Sequence, residues 1–131
     1  MLISFGPNVT FSYGAYCQYR KVRIGNRVLI GLFNTIGEVS IGDGVLMGGN
    51  VNLLSGLHQH SFDDPNTLTW DTPASGRKTI TIGSDVWCGS DSVIGCDIGD
   101  RCVVAAGSVV VKAVEPHSLV GGNPARLIRT I

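Results

Sequence analysis

Three things are missing from this sequence: an excess of charge of either sign, a long apolar run, and an abundance of helix-favouring residues. Ten basic and ten acidic residues cancel among 131. Nothing in that balance argues for a nucleic-acid or membrane-surface partner, and a compact partner of neutral or mixed charge fits better. Residues 1–8 hold neither a basic start nor an apolar stretch long enough for a signal peptide or membrane helix. A cytoplasmic protein with no membrane partner is expected. Lys and Glu are few while Gly reaches 18. Gly costs about 1 kcal/mol relative to Ala inside a helix, so strands and tight turns should dominate. The four cysteines, Cys17, Cys88, Cys96 and Cys102, form no C-x-x-C pair and have no metal-ligand spacing with the three histidines. Reduced thiols and no bound metal are expected.

What is present is a repeat of six. From Ile24 the chain reads I-G-N-R-V-L and I-G-L-F-N-T, and from Ile41 it reads I-G-D-G-V-L and M-G-G-N-V-N. A second block gives I-G-S-D-V-W and C-G-S-D-S-V from Ile82, then I-G-D-R-C-V and V-A-A-G-S-V from Ile98. An aliphatic residue every six, followed by Gly and then Asp, Asn or Ser, matches neither the helical period nor one long strand. It requires short strands joined by tight corners, with Gly, Asn and Asp supplying positive φ at each corner. Three such sides close a triangular coil, and stacked coils about 4.8 Å apart turn the aliphatic column into a dry interior. Cys88 and Cys102 stand where the repeat expects Ile or Val and should pack as small hydrophobes. At about 18 residues per coil, residues 24–110 supply about four coils, a short prism.

The repeat slips to five between Ile36 and Ile41 and to four between Ile94 and Ile98. Residues 56–79 lack it altogether and contain His58, His60, Asp63, Asp64, Pro65 and Trp70. This segment is expected to leave the single 1–131 domain as an excursion, and loops of such length usually carry function. After Val111 the pattern ends. Glu115-Pro116-His117 is expected to break the ladder and the tail, 112–131, to turn into a strand or a short helix.

Taken in order, I-G-S-D-V-W-C-G-S at 82–90, V-V-A-A-G-S-V-V-V-K at 103–112 and G-G-N-P-A-R-L-I at 121–128 follow an excursion that opens with histidine. This order resembles the hexapeptide-repeat acyltransferases, in particular the branch of maltose and galactoside, xenobiotic and surface-glycan O-acetyltransferases. The resemblance implies an all-β, left-handed parallel β-helix and a homotrimer with its active site between neighbouring prisms. It implies acetyl-coenzyme A as acetyl donor, without a metal, and a small-molecule acceptor carrying a hydroxyl group. The family's catalytic histidine falls on His58, with His60 two residues out of register. Trp87 inherits a place along the thioester channel, and the Ser90 N–H the role of donor to the oxyanion. Ala106 matches a backbone contact to the pantetheine arm, and Lys112 and Arg126 match basic residues near the cofactor phosphates. Asn34 lies near a substrate-binding Asn of relatives, but the five-residue slip destroys the register. Relatives often carry an N-terminal helical segment before the repeats, so part of the acceptor pocket is expected to be absent or rebuilt here.

These roles suit the chemistry. Acetyl transfer to a hydroxyl needs a base, oxyanion donors and a positioned donor molecule, and an imidazole titrates near neutral pH. Asp63 and Asp64 are read as solvated loop carboxylates around a turn at Pro65, with support of a histidine as the alternative. Residues 87–90 and 106–112 are expected to form successive steps of one groove. The other readings are an antibiotic acetyltransferase, a non-catalytic scaffold, and a metal-dependent γ-type carbonic anhydrase relative built on His58, His60 and His117.

Overall fold

A computed structural model describes residues 3–74 and 76–131. Each coil consists of three short strands. The first coil is β1 (Ser4–Phe5), β2 (Val9–Phe11) and β3 (Tyr16–Cys17); the second is β4 (Val22–Ile24), β5 (Val28–Ile30) and β6 (Thr35–Ile36). The third is β7 (Val39–Ile41), β8 (Leu46–Met47) and β9 (Asn52–Leu53); the fourth is β10 (Ile80–Ile82), β11 (Trp87–Cys88) and β12 (Val93–Ile94). In the fifth coil Ile98 stands as a single bridge residue before β13 (Val103–Val104) and β14 (Val109–Val110). A sixth begins at Val114, again a bridge, and continues into β15 (Ser118–Gly122), against which β16 (Ala125–Thr130) folds back antiparallel.

The strands stack into three sheets. The first holds β1, β4, β7 and β10; the second runs β2, β5, β8, β11, β13, β15 and β16; the third holds β3, β6, β9, β12 and β14. All pairings except the last are parallel. Alternation along each strand sends one set of side chains inward. Ile24, Ile41, Ile82 and Ile98 form one buried column, Ile30, Met47, Cys88 and Val104 a second, and Ile36, Leu53, Ile94 and Val110 a third. Cys88 and Cys102 are both buried in this core, as their places in the repeat predict.

The corners depart from expectation in which residue takes positive φ. The Gly that follows each aliphatic residue is needed for close approach instead: a Cβ on Gly25 would lie 2.6 Å from the Gly42 carbonyl oxygen in the next coil. Two residues later the chain turns through the left-handed region, at Asn8, Arg27, Gly44, Asp85, Arg101 and His117. The Asp, Asn or Ser between them tie one layer to the next. Asn26 N–H donates to Asp43 Oδ1 (2.7 Å), Asp43 N–H to Ser84 Oγ (3.0 Å) and Ser84 N–H to Asp100 Oδ1 (2.8 Å).

The irregularities of the repeat all fall on one edge. From the first sheet to the second and from the second to the third, inward residues are always six apart, as in Ile24, Ile30 and Ile36 or Ile82, Cys88 and Ile94. From the third sheet back to the first the steps vary: seven at Cys17 to Ile24, five at Ile36 to Ile41, and four at both Ile94 to Ile98 and Val110 to Val114. Coil length is adjusted at that edge alone, and this accounts for both slips. The excursion also leaves there, between Leu53 and Ile80.

Two expectations need correction. Residues 24–110 do cross the second sheet four times, but the prism has six coils because β1–β3 precede the legible repeat and Val114 with β15 follows it. The ladder therefore does not break at residues 115–117. Gly99 N–H donates to Val114 O (2.8 Å), and Val103 and Val104 pair with Leu119 and Val120. His117 simply takes the corner's left-handed position. The tail forms a strand rather than a helix. No helix among the described residues is long and apolar enough to cross a membrane.

Candidate active site

The variable edge builds a cleft. Ser55 is buried at the end of the third coil, and Gly56, at φ +84°, turns the chain outward so that His58 stands exposed beside the prism. His58 lines a cleft with Lys78, Cys96, Asp97 and Val111. Corners 95–97 and 111–113, the two shortest, form the side of the cleft that belongs to the prism. Asp97 Oδ1 accepts from Thr81 N–H at 2.8 Å and so ties corner 95–97 to the first sheet. Burial, and then the charge of Asp97, push the Cys96 thiol above its usual value against the pull of Lys78.

The other excursion residues lie apart from this cleft. His60 Nδ1 is 3.4 Å from Thr72 Oγ1, in a separate hollow with Thr69, Trp70 and Ala74. Asp64 builds a turn: it accepts from Asn66 N–H (2.9 Å) and from the Thr67 hydroxyl (2.7 Å), and these bonds hold its carboxyl below the usual range. Neither Asp63 nor Asp64 pairs with a histidine among the described residues. His117 stands on the edge between the first and second sheets, away from His58. Asn34 is buried, with its Oδ1 accepting from Val51 N–H at 2.8 Å, so it braces a corner instead of facing a substrate.

The remaining candidates fall into two further groups. Trp87 projects outward from the second sheet, 56% exposed, in register with Leu46 and Val103. Arg126 pairs with Gly121 at the end of that sheet and is exposed. Ser90 and Ala106 occupy the edge between the second and third sheets on adjacent coils, where Gly107 N–H donates to Ser90 O at 2.9 Å. Among the described residues the N–H groups of Ser90 and Ala106 donate to no protein acceptor. These are two free donors about 4.8 Å apart. Ser90 Oγ itself accepts from Gly49 N–H (3.1 Å).

Lys112 breaks the expected single groove. It lies in corner 111–113, on the same edge as the His58 cleft, whereas Ser90 and Ala106 lie on another. One chain thus presents His58 and Lys112 on one edge and Trp87 and Arg126 on the sheet opposite that edge. Sequence reasoning missed the cleft residues Lys78 and Cys96, because they meet His58 only through the fold. It also missed an outward apolar column on the second sheet, Leu29, Leu46, Trp87, Val103 and Leu119. The signal for that column was available: each of these residues stands immediately before an inward residue of the repeat.

Comparison with known proteins agrees with this architecture. The model of the hexapeptide repeat of succinyl-transferase matches residues 21–55 and 79–112. The chain belongs to the hexapeptide-repeat family. It is 38% identical to the galactoside O-acetyltransferase of Escherichia coli strain K12, over 95% of this chain and 59% of that protein. It is 34% identical to a chloramphenicol acetyltransferase of Agrobacterium fabrum, over 79% of this chain and 52% of that protein. A solved galactoside acetyltransferase in complex with coenzyme A superposes with a TM-score of 0.81 and 31% identity, covering 97% of this chain and 64% of that one. The prism is the left-handed β-helix of these acetyltransferases. The chain spans between half and three fifths of the length of these two curated relatives.

Proposed function

We propose that this chain is one subunit of a homotrimeric O-acetyltransferase that moves the acetyl group of acetyl-coenzyme A to a hydroxyl of a sugar or sugar-like acceptor. The observation that carries the proposal is the division of the candidate residues between one edge and the opposite sheet. In a closed threefold ring the edge of one prism meets the sheet of the next, bringing His58 and Lys112 of one copy to Trp87 and Arg126 of another. His58 takes the proton of the acceptor hydroxyl as its oxygen attacks the thioester carbonyl. The free N–H of Ser90 donates to the oxyanion, and that of Ala106 to an amide of the pantetheine arm. The C–S bond then breaks, and the leaving sulfur receives the proton from His58. Lys112 and Arg126 supply positive charge for the phosphates. A sugar acceptor is supported by the galactoside O-acetyltransferase relative and by the likeness to a galactoside acetyltransferase that binds coenzyme A. A cytoplasmic location suits the four unpaired thiols, of which Cys88 and Cys102 are buried.

An antibiotic hydroxyl as acceptor is favoured by one observation, the 34% identity to a chloramphenicol acetyltransferase. It would use the same residues. A panel of sugars and chloramphenicol with acetyl-coenzyme A separates the two acceptors. In the same assay His58→Ala should lower transfer roughly 100-fold or more while coenzyme A still binds. His60→Ala should do less. Wild-type turnover in His58→Ala sinks the assignment of the base, and failure of the wild-type protein to bind coenzyme A sinks the enzyme.

A further inference from the structure

The excursion bearing His58 joins the prism through a narrow neck, and beside that neck lies a charge cluster for which the transfer chemistry has no use. The outgoing limb is 55–58 and the return limb 76–79. They touch twice. Lys78 N–H donates to Ser55 O at 2.7 Å, and the Gly76 backbone packs so closely on the His58 carbonyl oxygen that a Cβ at position 76 would overlap it. Between these two contacts stands Arg77. Its Nε donates to Glu38 Oε1 at 2.7 Å, the one ion pair among the described residues, and its guanidinium carbon lies 4.4 Å from the centre of the Tyr19 ring. Glu38 is itself anchored, with a side chain only 12% exposed and its N–H donating to Ser55 Oγ at 2.8 Å. Residues from two earlier coils of the variable edge thus converge on the return limb, next to the residue that braces His58.

We propose that Glu38, Arg77 and Tyr19 form a clamp that positions His58, acting through the Gly76 backbone against the His58 carbonyl. This rests on His58 being the base. A general base must be held to a fraction of an ångström, and an exposed excursion with few core contacts does not by itself supply that. A single ion pair whose Arg77 side chain is 38% exposed to solvent adds little to global stability, and the hydrophobic columns that hold the prism together lie elsewhere. The clamp serves placement of the loop. Its members are positioning residues, since none lines the cleft with His58.

The test uses the full chain with Glu38→Gln, Arg77→Gln, the double variant, Arg77→Lys and Gly76→Ala. Turnover, KM for acetyl-coenzyme A and the melting transition are measured for each. Glu38→Gln and Arg77→Gln should each lower kcat roughly 10- to 100-fold, the scale of an ångström's misplacement, with KM and melting close to wild type. The double variant should be no worse than the poorer single one, because both remove one device. Arg77→Lys should recover part of the rate by restoring the charge. Gly76→Ala, which forces the limbs apart without touching the ion pair, should match the single variants. Wild-type kcat in both Glu38→Gln and Arg77→Gln overturns the clamp, as do losses that track a lowered melting transition or a raised KM. Wild-type turnover in His58→Ala instead removes the base on which the clamp acts. An inactive His58→Ala beside fully active clamp variants removes the clamp alone.

Discussion

Position within the repeat decides what each residue does, more than its chemical type. Cys88 shows this best. It occupies an inward place between Met47 and Val104, fully buried, and burial followed by the nearby Cys102 pushes its thiol up to about 12. An unfolded thiol ionises near 9.0. Above that pH the unfolded chain gives up a proton that the folded chain keeps, so unfolding gains. The stability from keeping Cys88 neutral is whole below about pH 9 and is lost as the pH rises towards about 12. The denaturation midpoint should therefore fall with pH in this window, and Cys88→Val should flatten part of the fall. A thiol reagent should spare Cys88 in the native protein and label it after unfolding. Rapid native labelling would show that the core opens locally.

At the scale of the element, two edges of each coil obey a strict count and the third does not. The strict edges carry most of the Gly close approaches and of the side-chain ladder, so an added residue there displaces inward side chains and breaks contacts with two neighbouring coils. The variable edge already tolerates steps of four, five and seven. Inserting one Gly after Cys96 should lower the melting temperature by only a few degrees, corresponding to about 1 kcal/mol or less. The same insertion after Ser90 should cost several kcal/mol, on the scale of a disrupted core, or abolish cooperative melting. The variable edge is also where an excursion can leave without disturbing the stack, and this places the candidate base there. Because corners 95–97 and 111–113 line the cleft with His58, the tolerated insertion should still impair transfer, which separates fold from function on one edge.

The whole molecule leaves the outer side of its second sheet apolar. Leu29, Leu46 and Trp87 are 38%, 52% and 56% exposed and lie on adjacent coils in register. A contiguous apolar face of this kind marks an association surface, and the proposed ring covers it. Sedimentation at micromolar concentration should give a trimer. Leu46→Arg should yield a folded monomer without transfer activity, since its inward neighbour Met47 is untouched while the face against the next copy gains a charge. A wild-type chain that sediments as a monomer would refute the shared site.

The period of six was enough to determine the coil, the inward columns and the all-β class, because burial imposes a repeating demand that composition alone must meet. It also located the excursion, as the place where that demand stops. The ends of the prism were not legible: in β1–β3 the inward places hold Phe5, Phe11 and Cys17 in place of the usual aliphatic residues and only Phe5 is followed by Gly, and at Val114 one residue stands for a whole strand. The slips could be seen, but their shared edge could not, since it appears only when the coils are stacked. The grouping of the candidate residues had the same origin. Lys112 follows Ala106 closely in the chain, yet the third sheet separates them in space, while Lys78 and Cys96 reach His58 across the neck and the next coil. Contacts between coils depend on which edge each residue occupies, and that is decided by tertiary structure.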